Sequence, residues 1–219
     1  MLQFLIAGGP FMLLLVLTSI VSLTFIIERG LALRRGRVVP LAVADALKRW
    51  RGSADLTALK VTCQQGNSTL GRLVLTAIEY LPLPRQENQE AVQAEARQEV
   101  VHLERGLVVL EVVVGISPLL GLVGTLHGLI TLFGDLGRSG LADNSVLAKG
   151  IAIALNTTLM GLLIAIPSLV FWSYFTKKVE TLGVEMETRL EDFLRHQYRL
   201  RRHAHPAPAA AEPPVMTTH

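Results

Sequence analysis

The chain has 219 residues, half of them hydrophobic and 18% charged, with a mean hydropathy of +0.42, a balance too apolar for an ordinary soluble domain and too poor in charge for a disordered one. The apolar residues gather into three long blocks that divide what is left for aqueous structure into separate pieces, which argues against a large soluble enzyme core. The formal net charge is +3 and the pI about 9.3, so the sign of the charge says less than where the basic residues fall.

Residues 1–27 carry no Asp, Glu, Lys or Arg. Phe4 to Ile27 is a run long enough to cross ~30 Å of hydrocarbon as a helix, which makes 1–27 the first predicted span. A cleavable signal peptide is the alternative, opposed by the absence of a basic n-region and of a small-residue cleavage site before Glu28 and Arg29. Residues 28–105 form a cytoplasmic helical region. Turn signals at Gly52-Ser53, Gly66-Asn67 and Leu81-Pro82-Leu83-Pro84 divide it into several short helices. Cys63, the single cysteine, lies here among polar residues, which excludes a disulfide framework or a cysteine-ligated metal site. From Gln86 the sequence is rich in helix formers, and one helix is expected to run from Gln86 straight into span two, to Phe133.

Span two is expected over 106–133, a short outer loop over 134–148, and span three over 149–176. Residues 177–202 place Val179, Leu182, Met186, Leu190, Phe193 and Leu194 at spacings of three and four, the pattern of a projecting cytoplasmic helix. The tail, 203–219, is rich in Pro and Ala and is expected to be disordered, although its three histidines leave metal binding open. Twelve Lys and Arg lie between Glu28 and Arg105, two between Phe133 and Lys149, and seven after Thr176. This asymmetry orients the protein with its N-terminus outside, its C-terminus in the cytoplasm and three membrane crossings, an all-α integral membrane protein in a lipid bilayer.

Span one is largely aliphatic, whereas spans two and three are seeded with small residues that let helices approach closely. On a helical wheel Pro118, Gly121 and Thr125 share a narrow face with Val114, Gly128 and Leu132, and Ala154, Thr158, Gly161 and Ala165 form a matching stripe with Ile151. Thr125 and Thr158 fall near mid-membrane. Each hydroxyl can simply bond its own helix, but two at similar depth on small-residue faces point to a functional pair. No Asp, Glu, Lys or Arg lies in the middle of any span, so the chain has no membrane carboxylate of its own for proton relay. Glu111, roughly 21 Å along the helix from Thr125, marks a cytoplasmic pore mouth. His127 points away from the Thr125 face and Asn156 is two residues off the Thr158 face; both read as interhelical packing residues.

These segments resemble the MotA/TolQ/ExbB proton-channel family. GGPFMLLLVLTSIVSLTFIIER is similar to the family's first span, LERG followed by an eleven-residue spacer and PLLGLVGT to the second, and GIAIALNTTLMGLLIAIP to the third. Three spans place the resemblance with the ExbB and TolQ branch. It implies a ring of five copies whose second and third spans line a pore holding a single-span partner of ExbD or TolR type. The partner would bring a membrane aspartate toward Thr125 and Thr158, and the work would pass to a TonB- or TolA-type protein. Where several members have glutamate in GIAEAL, this chain has Ile153, and the residue role at that position does not carry over. A TolQ-like role in outer-membrane integrity and a non-conducting helical scaffold stand as alternatives to ExbB-like transport. No cofactor is expected, there is no phosphate loop, metal-ligand spacing or nucleophile with its base to support an enzyme, and nucleic acid is not an expected partner.

Overall fold

The computed structural model describes residues 9–50, 56–139 and 144–204. Among the described residues the regular structure is helical throughout: α1 (Gly9–Ala32), α2 (Arg35–Val38), α3 (Leu41–Arg49), α4 (Leu56–Gly66), α5 (Thr69–Glu79), α6 (Arg85–Glu104), α7 (Leu107–Ser139) and α8 (Asn144–Ala204). The stretches Pro10–Ala32, Leu107–Gly137 and Leu147–Leu200 are each long and apolar enough to cross a membrane. The chain is an all-α membrane protein. Its contacts divide it into two compact units, residues 1–38 with 97–184 and residues 39–96 with 185–219.

In the first unit α1, α7 and the first part of α8 pack around Leu15, Val113 and Ile164, with Leu120 and Met160 against them. Many large apolar side chains of the same helices face outward, among them Leu13, Leu23, Ile130, Leu162 and Ile166, as expected where the surrounding solvent is lipid and hydrophobicity alone does not drive helices together. What holds the helices is close packing and a few polar contacts. Ser168 Oγ donates to Ile164 O at 2.7 Å, so the buried 2.6 Å bond between the Ser22 and Ser168 hydroxyls takes its proton from Ser22.

The expected uninterrupted helix from Gln86 to Phe133 is divided, because α6 ends at Glu104 and α7 begins at Leu107, with Arg105 and Gly106 in a turn. The cause is tertiary. The Arg29 guanidinium lies across Gly106, where a Cβ would come within 2.5 Å of Nε and 2.8 Å of Cζ, and Arg29 Nη1 donates to Leu103 O at 3.3 Å. A carbonyl in the last turn of a helix has no partner further along it, and a cation there also meets the negative end of the helix dipole. Much of the loop expected over 134–148 is instead taken up by the ends of α7 and α8.

The second unit is built on an amphipathic helix. Leu70, Leu73, Val74 and Ala77 of α5 are fully buried, with Leu59 and Cys63 of α4 also buried. Ser68 caps α5 by accepting from Gly71 N at 3.1 Å. The Gly66-Asn67 turn signal is realised, with Asn67 at φ 34°, a left-handed conformation that Asn tolerates better than most residues. Asn88 Nδ2 donates to Ala77 O at 2.9 Å, and Tyr198 OH donates to Leu83 O at 2.8 Å. Trp50 packs edge-on against Phe193 and His196. Burial pushes the Cys63 thiol up to about 11. The first eight residues, the turn expected at Gly52-Ser53 and the tail from residue 205 lie outside the described residues.

Candidate functional site

The two small-residue stripes read from the sequence meet each other. Gly121 of α7 is so close to α8 that a Cβ there would lie 2.9 Å from Thr157 O and 3.0 Å from Thr158 Cα, and one on Gly161 would lie 2.5 Å from Ser117 O and 3.2 Å from Gly121 Cα. Backbone meets backbone at both positions, so only glycine permits the approach. Gly128 stands over Ala154, its Cβ position 3.1 Å from the alanine methyl. Ala154 and Ala165 are buried, and Pro118 is half-buried within α7.

That approach gathers five oxygens. Thr125 Oγ1 lies 3.1 Å from Gly121 O, 3.0 Å from Ala154 O and 3.3 Å from Thr157 Oγ1, and it is in direct hydrogen-bond contact with Thr158 Oγ1. Thr157 Oγ1 is 2.7 Å from Ala154 O and 3.2 Å from Gly121 O, and Thr158 Oγ1 is 3.2 Å from Gly121 O. Each hydroxyl carries one proton and can also accept, while each of the two carbonyls keeps one lone pair beyond the one its own helix uses. Three protons therefore have more acceptor positions than they fill, and the pattern of donors can change with small rotations and no movement of the helices. Thr157 is 1% exposed and Thr125 9%, whereas Thr158 is half-buried, so Thr158 is the member through which the cluster reaches its surroundings.

Thr157 was invisible to a wheel centred on Thr158, since neighbouring residues point about 100° apart. The Thr157-Thr158 doublet was the available signal, because two adjacent hydroxyls in a span both need partners. Glu111 is exposed on α7, and Asn156 is half-buried with no side-chain hydrogen bond to another described residue. The His127 ring is tilted over Phe11 of α1 with centroids 5.5 Å apart. Among the described residues no group of three or more His, Cys, Asp or Glu side chains is placed to hold a metal ion.

Close-packed spans enclosing a hydroxyl cluster define a helical membrane protein with a buried polar site between its α7 and α8 helices. The chain belongs to the MotA/TolQ/ExbB proton channel family, whose profile matches residues 66–188. Among its relatives, ExbB-like 1 and ExbB-like 3 of Synechocystis sp. are 32% and 31% identical over 73% and 77% of this chain. The biopolymer transport protein ExbB of Helicobacter pylori is 35% identical over 37% of it. The matches span 64%, 81% and 56% of those relatives' own lengths.

Proposed function

We propose that this chain is the channel-forming subunit of an inner-membrane stator that couples proton flow to energised transport across the cell envelope. The observation that carries the reading is the Thr125, Thr157 and Thr158 cluster, set in spans whose central turns contain no acid or base other than His127. Hydroxyls with interchangeable donors can order water and solvate a carboxylate that is alternately charged and neutral, but they do not themselves titrate near neutrality. The carboxylate therefore comes from a single-span partner of ExbD or TolR type, held in a ring of copies of this chain, five by family resemblance. The excess of Lys and Arg between Glu28 and Arg105 and after Thr176 supports an N-out, C-in orientation. The relatives' names favour ExbB-like transport, through a TonB-type protein, over a TolQ-like role.

Reconstitution tests the reading. The chain, purified with a single-span protein of ExbD or TolR type, is placed in liposomes carrying an internal pH dye, and a potassium diffusion potential is applied. Proton flux that disappears when the partner's membrane aspartate becomes asparagine is the expected result. Flux equal to that of empty liposomes, from a complex of intact stoichiometry, would leave only a packing role for the cluster.

A further inference from the structure

Between the C-terminal part of α7 and the N-terminal part of α8 lies a cavity of about 280 Å³, lined among others by His127, Thr131 and Asp135 on α7 and by Ile153 and Thr157 on α8. The three α7 residues follow one another at intervals of four, so they rise along one face with about 6 Å between neighbours. All three are exposed, yet they belong to the stretch Leu107–Gly137 that is apolar enough to cross a membrane. His127 lies within the expected span, where an imidazole faces water or protein rather than lipid because solvating it in hydrocarbon is expensive, and Asp135 stands just past the span's end at Phe133, at the level of the headgroups. A cavity with a carboxylate, an imidazole and hydroxyls on its walls offers water the several partners it needs.

The two ends of this cavity differ. Toward the end of α7 stands Asp135, four residues before Ser139. The other end stops at Thr157, a buried wall residue that is also a member of the hydroxyl cluster. Beyond Thr157 the helices touch backbone to backbone at Gly121 and Gly161, which leaves no gap for water to continue. The space is thus lined by a carboxylate at one end and closed at the other, the form required of a half-channel that lets protons in without letting ions through.

We propose that this cavity is a water-filled vestibule, open to the outside of the membrane within each subunit, that collects protons at Asp135 and delivers them by way of His127 and bound water to Thr157. The step is balanced. One proton is taken by the Asp135 carboxylate from outside water and released to the vestibule water, the His127 imidazole accepts one on a ring nitrogen and gives one up to bound water, and the Thr157 hydroxyl accepts a proton on its oxygen while passing its own to Thr125 or Thr158. When the acceptor carboxylate of the partner takes the proton the cluster is neutral again with its donors reversed, and rotation of the hydroxyls restores the starting pattern. Facing the α7 residues are Ile153 across the cavity and Phe11 against the His127 ring; Lys149, next in sequence to the cavity-lining Gly150, is the nearest cation along α8. This inference rests on the proposed function for its proton acceptor and its orientation.

The experiment uses the full chain with its partner and separates access from conduction. In a Cys63→Ala background, Ile153→Cys is treated with a membrane-impermeant thiosulfonate from the outside or the inside face. Flux is measured in parallel for Asp135→Asn, Asp135→Glu and His127→Gln. Expected are modification of Ile153→Cys from outside only, a fall in flux of about tenfold or more for Asp135→Asn, in line with the loss of one proton-transfer group, a smaller fall for His127→Gln, and recovery with Asp135→Glu. Failure of the outside reagent to modify Ile153→Cys, in a complex whose thiol reacts once dissolved in detergent, overturns the vestibule. Modification with unchanged Asp135→Asn flux overturns its use for protons. If the unsubstituted complex conducts no protons, the proposed function fails and takes the proton role with it, while the labelling still decides whether the cavity opens outward.

Discussion

Gly161→Ala is the sharpest test of how the hydroxyl cluster is assembled. The added methyl would lie 2.5 Å from Ser117 O and 3.2 Å from Gly121 Cα, where contacts shorter than 3.0 Å are essentially never seen and ordinary contact begins at 3.4 Å. Its neighbours are backbone atoms, so no side chain can swing aside, and α7 and α8 must separate locally by about 0.9 Å, the difference between 3.4 and 2.5 Å. That movement takes the 3.2 Å contacts of Thr157 and Thr158 with Gly121 O beyond hydrogen-bond range. Overpacking of this kind costs about 1–3 kcal/mol, and two interhelical bonds in a membrane contribute ~0.6 and at most ~1.7 kcal/mol each. The loss should total about 2–6 kcal/mol. Unfolding in mixed micelles of increasing sodium dodecyl sulfate, followed by tryptophan fluorescence, measures it. Gly115→Ala is the control, because nothing lies within 4 Å of its Cβ position. A Gly161→Ala protein as stable as Gly115→Ala, with undiminished flux, would refute the argument that glycine contact builds the site.

Three further expectations follow from other contacts. Thr158→Val keeps the shape of the side chain and leaves Gly121 O with two potential donors, Thr125 and Thr157, so assembly with the partner should survive with a stability loss below ~1.7 kcal/mol, while proton flux in the liposome assay is lost; wild-type flux from an assembled Thr158→Val complex would remove Thr158 from the pathway. Gly106→Ala should disturb the α6–α7 turn by collision with Arg29, and Arg29→Ala in the same chain should recover part of the lost stability; additivity in that double-mutant cycle would show that the two residues do not interact. The Cys63 thiol, held up to about 11 by burial, should alkylate far more slowly at pH 8 in the folded protein than after unfolding. Its linkage has a definite sign: the folded form retains the proton more tightly, so this contribution to stability is complete below the unfolded value near 9 and declines as pH rises from there toward about 11. Alkylation at equal rates in the two states would count against that burial.

The three spans, the charge asymmetry and the lack of a central carboxylate were legible in the residues, because membrane crossing depends on length and composition within single segments, and orientation on where Lys and Arg flank them. Thr125, Thr158, Gly121 and Gly161 were legible as well, since helical periodicity puts them on two narrow faces. Tertiary structure decided what those faces meet. Packing the stripes against each other brought in Thr157, which lies off the wheel face of Thr158 and joins the cluster only because α7 supplies acceptors on both sides of it. The turn at Arg105 and Gly106 followed from Arg29, 77 positions earlier, a contact that no local pattern of helix formers encodes. The same holds for the cavity beside Asp135, because a helix carries its own periodicity, whereas the space between two helices belongs to both. One sequence therefore determined how many helices are long and apolar enough to cross the membrane, and the distance of closest approach between α7 and α8 determined which of their polar groups meet.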